Sequence, residues 1–589
     1  MSKHTNKSIT LIAFMIQFFL QKIRALSLNC IFHHVSYSRG LYTIPIWRSF
    51  TIRFCGWFTP CYMKFKSKKY SIDSTDYQVG QDNVSKWGMD IHSNVFSISI
   101  GLSLLFIITL LALPPSETKD AINTIKNAAL VNFDFVFMWG ANILLLFAIG
   151  IAVSPLGKIR LGGDKATTDY STLSWVSMLF AAGMGIGLIF WGVAEPTAFY
   201  TDWAGTPLNA EPFTEQGREI ALGATVFHWG LHAWAIYGMT ALCLAYFVYN
   251  KGLPLSMRSI FYPLFGDLVW GKLGDVIDVM AVLVTLFGLA TSLGLGGSQA
   301  ASGISHVLGF ENSLLLQQGI ILLIMGLAIL SIIRGMDGGV KLLSNINMGI
   351  AFVFLALIAI LNFTTVLDSG YTAVVGYVKN IIPLSSSTGR EDTEWLHSWT
   401  VFYWAWWVAY APCFGMFVAR ISKGRTIREF LVYVLLIPTL VTTAWMSVFG
   451  GIAIDQVINE IGVLGADKRI TDVSLSLFYM LDAYSFSTVL SLLAIALIII
   501  FFVTTLDSGS IVIDSLTSGG KLEVPIKKKL VWANIAGIIA MLMLWIGGTE
   551  SIQALQYITI IAALPFTLIL LLGSISLVKG LMTELETHK

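Results

Sequence analysis

The sequence predicts an all-α polytopic membrane protein with twelve transmembrane helices. Of its 589 residues, 55% are hydrophobic and only 12% are charged, whereas a soluble domain carries about 25% charged residues. From residue 93 onward, the apolar residues fall into twelve segments long enough to cross a bilayer. Basic loops alternate regularly with acidic or mixed loops between these segments, which is the pattern of an even number of spans.

The chain before the first apolar segment divides into two parts. Residues 1–62 contain Lys and Arg but no Asp or Glu, and the apolar run Ile9–Leu20 is too short to span a bilayer. We interpret residues 1–62 as an extension that is either untranslated, with translation starting at Met63, or disordered. A basic, acid-poor organellar presequence also fits the composition. Residues 63–92 then form a cytoplasmic segment, and N-terminal sequencing of the native protein tests this assignment.

The twelve predicted spans are separated by short loops. They are 93–114, 133–153, 172–200, 219–249, 276–305, 314–333, 346–366, 396–419, 431–454, 485–512, 529–547 and 555–579. Lys and Arg are concentrated after every second span, as in Arg420–Arg428 after the eighth. The positive-inside rule therefore places both termini in the cytoplasm, and we expect a multi-pass protein of the cell (plasma) membrane.

The third span carries four glycines near its middle, Gly183, Gly185, Gly187 and Gly192. Glycine costs about 1 kcal/mol relative to alanine in a helix interior, so the cluster needs an explanation. Either the small residues allow another helix to pack closely, or the helix unwinds and exposes its backbone to a ligand. The first three glycines are spaced around the helix and not along one face, which favours unwinding.

The eighth span contains the sequence FYWAWWVAYAPCFG, Phe402–Gly415. Its aromatic side chains that fall close to one helical stripe are Tyr403, Trp406, Trp407 and Tyr410. Pro412 follows and is expected to interrupt the helix. We interpret the stripe as the wall of a cation site, with an aromatic packing seam as the alternative. The third and eighth spans are five apart, so matching interrupted helices would occur in two inverted halves, as in many transporters.

The fourth span places Trp229, Trp234 and Tyr237 on one side of a helix. His228 and His232, four residues apart, have the spacing of a metal pair. No further ligand residue stands near them, and hydrogen bonds to neighbouring groups are the alternative.

The tenth span supplies the hydroxyl groups of Thr504 and Thr505 within an apolar run. Na⁺ prefers oxygen ligands, and unwound backbone around Ala181 and Met184 would add carbonyl oxygens, as in discontinuous-helix ion sites. The alternative is that the threonines bond to their own helix backbone. Thr291 in the fifth span is a weaker candidate.

The aromatic residues indicate what the protein binds, and the hydroxyl groups indicate which ion drives transport. A desolvated aromatic face stabilises a cation by about 2 kcal/mol, and a quaternary ammonium has no N–H group to leave unsatisfied. A carboxylate on the same ligand could accept hydrogen bonds from the backbone of Gly183, Gly185 and Gly187. A zwitterion gains nothing from the membrane potential, whereas each co-transported cation gains about 2.3 kcal/mol per 100 mV.

Three motifs closely resemble the betaine/carnitine/choline transporter (BCCT) family. They are GMGIGLIFWGVAEP (Gly183–Pro196), FHWGLHAWAIY (Phe227–Tyr237) and FYWAWWVAYAPCFGMFVARISKGRTIREF (Phe402–Phe430). The resemblance covers roughly residues 90–580 and is greatest to sodium-coupled glycine betaine carriers of Gram-positive bacteria. It implies a LeuT-like fold, with two inverted five-helix repeats after two N-terminal helices, and a homotrimer.

The resemblance also implies domain boundaries and site residues. The domains are 63–92, 93–171 with two peripheral helices, 172–366 and 396–580 as the repeats, 367–395 as an interfacial connector, and 581–589 as a short cytoplasmic tail. The substrate cage would be Trp229, Trp234, Tyr237 and Trp407, with Trp404, Trp406 and Tyr410 lining or closing the pathway. One sodium site would use Ala181, Met184, Thr504 and Thr505, and a second would lie near Thr291 and Cys413.

Four comparisons with the family pattern qualify the resemblance. Tyr410 stands where betaine carriers often have Trp, and Ala233 where the motif commonly has Pro. Proton-coupled choline members tend to have an acidic residue at the position of Gly187. Sodium-independent exchangers carry a fixed positive charge, but the fifth span, Val276–Ser305, has no Lys or Arg. The last two observations favour sodium symport.

The sequence thus predicts a sodium-coupled importer of glycine betaine that serves osmoprotection. The alternative is an importer of choline or carnitine that uses protons or another ion. The prediction includes no enzymatic activity, no nucleic-acid partner and no cofactor other than sodium as a coupling ion. A channel is disfavoured because the sequence has no pore loop or ring of charges.

Overall fold

A computed structural model of the chain describes residues 75–183, 186–335, 341–468, 470, 472–521, 525–548 and 551–587. The predicted extension of residues 1–62 lies outside these described residues, as do residues 63–74. The described part consists of α-helices, short helical turns and one β-hairpin. This is the all-α architecture that the composition predicts.

Helices of at least twelve residues are numbered here in chain order. They are α1 (Ser93–Ala112), α2 (Pro115–Val153), α3 (Thr172–Gly183), α4 (Ile186–Tyr200), α5 (Glu215–Trp229), α6 (Leu231–Tyr249), α7 (Lys272–Leu308), α8 (Leu314–Gly335), α9 (Lys341–Leu361), α10 (Phe363–Ser385), α11 (Phe402–Ile421), α12 (Ile427–Ile458), α13 (Ser487–Leu516), α14 (Ile526–Gly547) and α15 (Ser551–Thr587).

Shorter elements connect these helices. The short α-helices are Tyr262–Phe265, Thr393–Trp395, Gly462–Asp467 and Ser476–Leu481, and a π-helix spans Leu396–Val401. The 3₁₀-helices are Pro155–Lys158, Pro207–Asn209, Met257–Phe261, Gly266–Trp270 and Val473–Leu475. Strands β1 (Asn83–Lys86) and β2 (Met89–His92) form an antiparallel hairpin in which Asn83 is opposite His92.

All twelve predicted spans coincide with helices. Within the described residues, eleven helical segments are long and apolar enough to cross a membrane. The remaining predicted span, residues 172–200, contains two shorter helices, α3 with 12 residues and α4 with 15. The molecule is therefore a multi-pass membrane protein, and the count of twelve crossings stays a prediction.

The expected interruption at Pro412 is wrong. Helix α11 continues through Pro412 without a break. A proline removes one backbone hydrogen bond, and membrane helices tolerate this when packing satisfies the freed groups. The backbone departs from α-helical geometry earlier, in the π-helix Leu396–Val401.

The two halves of the helix bundle pack in an exchanged pattern. Helix α4, from the first segment of the first half, packs against α12, and α11, from the first segment of the second half, packs against α6. Helices α7 and α13, the third segments, pack against each other. Each of them also contacts the fourth and fifth helices of the other half. Such reciprocal pairing is what two inverted five-helix repeats of a LeuT-like fold require, although their exact boundaries remain predictions.

The predicted connector contains helix α10, which packs along α5 and α12. Glycines allow this helix to lie very close to α5. A Cβ atom at Gly376 would stand 2.1 Å from the Glu219 carbonyl oxygen, and one at Gly223 would stand 2.4 Å from the Gly376 carbonyl carbon. The two backbones are thus in direct contact, and a larger residue at either position would separate the helices.

The β-hairpin and the residues before it bind two loops at one end of the bundle. Tyr77 stacks on Trp270, with ring centroids 4.2 Å apart, in the loop that follows α6. Asn83 donates a 2.9 Å hydrogen bond to the Ser518 carbonyl oxygen, after α13. The Lys521 Nζ atom lies 2.5 Å from an Asp90 carboxylate oxygen. The described N-terminal segment therefore fastens together loops from both halves.

A buried ion-pair cluster lies beneath this hairpin. The Arg258 guanidinium is 2.6 Å from Asp278 and 3.0 Å from Asp275, and the three side chains are almost completely buried. Burial opposes the charged form of Arg258, but the adjacent carboxylates outweigh it and raise the pKa of Arg258 above its ordinary value. The arginine thus pairs with two carboxylates at the start of α7.

We expect Arg258→Met to destabilise the protein by about 3–5 kcal/mol, because it leaves two buried carboxylates without their cation. The apparent Tm of the purified protein in detergent measures this effect. Arg334→Met is the matched control, since Arg334 is exposed at the end of α8. An equal Tm for the two variants would contradict the structural role of the cluster.

Candidate functional site

A break at Gly230 separates α5 from α6. Its backbone angles, φ −102° and ψ −141°, are not helical, and the sequence predicted one continuous span here. The break frees carbonyl groups of the last turn of α5. The His228 carbonyl oxygen accepts a 3.1 Å hydrogen bond from the Trp407 indole, and the Trp229 carbonyl oxygen accepts a 3.1 Å bond from the Trp234 indole. Tryptophan N–H groups thus satisfy the interrupted backbone.

Four of the predicted residues converge beside this break. The rings of Trp229, Trp234 and Tyr237 lie 5.5, 5.7 and 4.8 Å from the ring of Trp407, centroid to centroid. All four side chains are buried. We call these four residues the aromatic box. The structure brings them together, and their binding of substrate stays a prediction.

Phe414 adds a fifth ring that sequence reasoning did not select. It stacks on Tyr237 at 4.4 Å with an interplanar angle of 20°, and it lies 5.5 Å from Trp234. Its position seven residues after Trp407, two helical turns along the same face, was the available signal.

The other three predicted aromatics of α11 lie in different places. The Trp406 ring is 6.3 Å from that of Trp229 and its indole N–H group donates to Ser292, 3.3 Å away, on α7. Tyr410 also faces α7, where a Cβ at Gly288 would be 3.5 Å from its ring. Trp404 packs instead against Phe227 and His232, at 5.2 and 5.8 Å. Trp404 therefore contacts the side of α5–α6 away from the box.

Gly187, at the end of the glycine-rich stretch, lies directly against the box. Helix α3 ends at Gly183 and α4 begins at Ile186. Met184 and Gly185 lie outside the described residues, so the predicted unwinding and the role of their backbone stay predictions. Gly187 has a defined function in packing, because a Cβ atom there would lie 1.8 Å from Cη2 of Trp229. The indole of Trp229 occupies the space that a side chain at position 187 would need.

A buried polar cluster surrounds Glu195 on α4, a residue that sequence reasoning did not single out. The Glu195 carboxylate lies 2.6 Å from His228 Nδ1, 2.7 Å from Trp229 Nε1 and 2.5 Å from the Tyr403 hydroxyl. The other ring nitrogen of His228 is 2.9 Å from the Thr400 hydroxyl. An acidic residue inside a predicted span, in the sequence GVAEP, was the signal that could have found it.

The second histidine belongs to a separate contact. His232 Nε2 lies 3.0 Å from the side-chain oxygen of Asn142 on α2. His228 and His232 therefore bond to different partners, Glu195 and Asn142. Within the ranges that the structure describes, no group of three or more His, Cys, Asp or Glu side chains could hold a metal ion.

The residues predicted for sodium are only partly described. The Thr504 hydroxyl donates a 2.8 Å hydrogen bond to the Phe501 carbonyl oxygen of its own helix, and Thr505 is half-buried. Ala181 lies in the last turn of α3, whereas Met184 is outside the described residues. The first predicted sodium site therefore stays a prediction.

The second predicted sodium site has its residues on two helices. The Thr291 hydroxyl, on α7, lies 2.9 Å from the Leu555 carbonyl oxygen and 2.6 Å from the Thr559 hydroxyl, both on α15. Cys413 is half-buried on α11. The Thr291 hydroxyl therefore joins α7 to α15, and this site also stays a prediction.

A cavity of about 1050 Å³ opens at the end of the bundle opposite the β-hairpin. Its lining includes Trp191, Trp399 and Phe402 next to polar and charged groups such as Asp472. Phe402 stacks on Trp406 at 5.5 Å, and Trp406 in turn lies 6.3 Å from Trp229. The ring of Trp406 therefore stands between the cavity wall and the aromatic box.

We expect Gly187→Ala to weaken ligand binding at the box by at least about tenfold, because the added methyl group would displace the Trp229 ring. Gly326→Ala is the matched control, since a Cβ at Gly326 on α8 would meet nothing within 4 Å. Binding of glycine betaine to the purified proteins, followed by tryptophan fluorescence, distinguishes the two. Equal affinities would contradict the placement of Trp229.

Known transporters are similar to this chain over most of its length. A family model described as BCCT, the betaine/carnitine/choline family transporter, matches residues 94–586. The chain is 59% identical over 522 residues to a glycine betaine/proline/choline/ectoine transporter of Vibrio parahaemolyticus, covering 89% of this chain and 93% of that protein.

Two further relatives are similar over most of their length. Glycine betaine transporter 1 of Vibrio parahaemolyticus is 56% identical over 516 residues, covering 88% of this chain and 98% of that protein. The glycine betaine transporter OpuD of Bacillus subtilis is 40% identical over 457 residues, covering 77% of this chain and 87% of that protein.

Proposed function

This chain belongs to the betaine/carnitine/choline transporter family, and we propose that it imports glycine betaine by sodium symport. The members of this family are transporters and not enzymes. The similarity to a Bacillus subtilis carrier agrees with the resemblance seen in the sequence, although identity to the Vibrio parahaemolyticus proteins is higher. The aromatic box supports a quaternary ammonium substrate.

The bonding of the indoles within the box carries this proposal. The N–H groups of Trp229, Trp234 and Trp407 donate to Glu195 and to backbone carbonyl oxygens. Their ring faces and edges are then what the box offers to a ligand. A cation stabilised by aromatic rings alone suits a quaternary ammonium, because a primary amine would lose its hydrogen bonds to water.

Sodium supplies the driving force in this proposal. Glycine betaine is a zwitterion, so the membrane potential cannot concentrate it unless cations move with it. Oxygen ligands from Thr504, Thr505 and the backbone at Ala181 and Met184 would hold one sodium ion, and Thr291 and Cys413 would lie near a second. The protein would act at the plasma membrane as a homotrimer, with cytoplasmic termini, and would contribute to osmoprotection.

A second candidate is a carrier that also accepts choline. The 59% identical relative is named as a glycine betaine/proline/choline/ectoine transporter, and a 42% identical relative as a glycine betaine/proline/choline transporter. The buried Glu195 carboxylate beside Trp229 favours a ligand with net positive charge. Choline has the same trimethylammonium head and lacks the carboxylate of betaine.

Uptake of labelled glycine betaine and choline into proteoliposomes separates these candidates. Sodium-driven betaine uptake, absent when K⁺ replaces Na⁺, is expected. Choline uptake that is indifferent to sodium would contradict sodium coupling and would leave the assignment of the aromatic box to the ammonium group intact. Uptake of neither compound would contradict the proposed substrate class.

We expect Trp407→Ala to raise the KM for uptake by at least about tenfold, because it removes the ring on which the other three rings of the box pack. The bound cation would lose one desolvated cation–π contact. Trp545→Ala on α14 is the control, since Trp545 is 39% exposed. KM values from proteoliposome uptake measure the effect. Near-normal kinetics for Trp407→Ala would refute the role of the box.

We expect the double substitution Thr504→Ala with Thr505→Ala to raise the sodium concentration for half-maximal uptake by about tenfold, which corresponds to about 1.4 kcal/mol. Thr372→Ala is the matched control, because the Thr372 hydroxyl makes the same kind of bond to its own helix, 2.9 Å to Asp368, on an exposed face. Unchanged sodium dependence in the double variant would remove these hydroxyls from the ion site.

A further inference from the structure

Glu195 is a completely buried acid whose contacts join three helical segments. It stands on α4, its Trp229 and His228 partners are on α5, and Tyr403 is on α11. The Glu195 Oε2 atom accepts from both the Trp229 indole at 2.7 Å and the Tyr403 hydroxyl at 2.5 Å, and Oε1 lies 2.6 Å from His228. Both carboxylate oxygens therefore have partners.

The surrounding donors match an ionised carboxylate. An indole N–H group can only donate, so Glu195 Oε2 must accept from Trp229. A neutral His228 with its proton on Nδ1 donates to Glu195 and accepts at Nε2 from the Thr400 hydroxyl, 2.9 Å away. This tautomer satisfies both ring nitrogens and leaves one negative charge on Glu195, shared among three hydrogen bonds.

The charge acts on the box through Trp229. The pyrrole N–H of this indole bonds to the carboxylate, the far edge of the ring lies over Gly187, and Trp407 lies 5.5 Å from its centroid. The hydrogen bond fixes the ring between these two contacts. It also places a negative charge at the N–H edge, which adds to the attraction that the ring face exerts on a cation.

We propose that Glu195 is a positioning and specificity residue for the quaternary ammonium substrate, acting through the Trp229 indole. Its carboxylate holds one wall of the aromatic box in place and makes the box prefer ligands with net positive charge. This inference rests on the proposed function, since it concerns the same box. It adds that the discrimination between a cationic and a zwitterionic ligand depends on a residue that does not belong to the box.

Ligand binding to the purified full-length protein tests the proposal. Tetramethylammonium, choline, glycine betaine and the uncharged choline analogue 3,3-dimethylbutanol are titrated by isothermal calorimetry against wild type and Glu195→Gln. Removing the charge should weaken the binding of tetramethylammonium and choline by about tenfold. The affinity for glycine betaine should fall less, because the carboxylate of this ligand is repelled by Glu195. The affinity for the uncharged analogue should change least.

A double-mutant cycle establishes the route of the effect. Trp229→Phe keeps an aromatic ring but removes the N–H bond to Glu195, so it should lose the same preference for cationic ligands while the acid is intact. The double variant Glu195→Gln with Trp229→Phe should then lose no more of its preference for cationic ligands than the single variant with the larger loss. Trp445→Phe is the matched control, because its indole donates to the Leu188 carbonyl oxygen, 2.9 Å away, outside the box.

The outcomes separate this inference from the function on which it rests. Equal losses for all four ligands in Glu195→Gln, or additive losses in the cycle, would overturn the role of Glu195 while leaving the box intact. If Glu195→Gln fails to fold, judged by its size-exclusion profile, Trp229→Phe alone decides, since unchanged selectivity there overturns the proposal. A wild-type protein that binds none of the ammonium ligands would overturn the proposed function and this inference together.

Discussion

The aromatic box depends on the capped break at Gly230. Interrupting a helix inside a membrane leaves carbonyl groups without partners, and each unsatisfied group costs several kcal/mol in hydrocarbon. Here the indole N–H groups of Trp407 and Trp234 satisfy the carbonyl oxygens of His228 and Trp229. The same bonds orient the tryptophan rings, so the groups that satisfy the interrupted backbone also hold the rings of the aromatic box in place.

The exchanged packing of the two halves places this break next to the aromatic helix. Because α11 packs against α6, the first helical segment of the second half lies beside the break between α5 and α6. Trp407 from α11 therefore reaches the break in the other half of the chain. The aromatic box is thus built from both halves, and the interface between two inverted repeats is where transporters of this layout typically bind their substrates.

An acidic side chain and an imidazole are placed behind the box and are not among its members. Glu195 accepts hydrogen bonds from the Trp229 indole and the Tyr403 hydroxyl, and its other oxygen lies 2.6 Å from His228 Nδ1. A buried carboxylate without partners would be very costly, and these donors remove most of that cost. The arrangement keeps the surface of the box aromatic while an acidic side chain lies close to it.

The residues of the site were visible in the sequence to different degrees. Helical periodicity predicts that Trp229, Trp234 and Tyr237 share one side of a helix, and the family resemblance joined Trp407 to them. Glu195 was missed because its importance comes from partners 33 and 208 positions away along the chain. The family resemblance grouped Trp404 with Trp406, but residues two positions apart on a helix point about 200° apart, and Trp404 packs against Phe227 and His232.

The sequence by itself determined the membrane-embedded, all-α architecture, since hydrophobic segment length and loop charge reflect local interactions of each segment with lipid and water. Only the tertiary structure decided where helices break. Pro412 was expected to interrupt α11 and does not, whereas Gly230 does. A break is stable only where another segment supplies donors to the freed carbonyl groups, and such partners are brought together by packing between segments far apart in the chain.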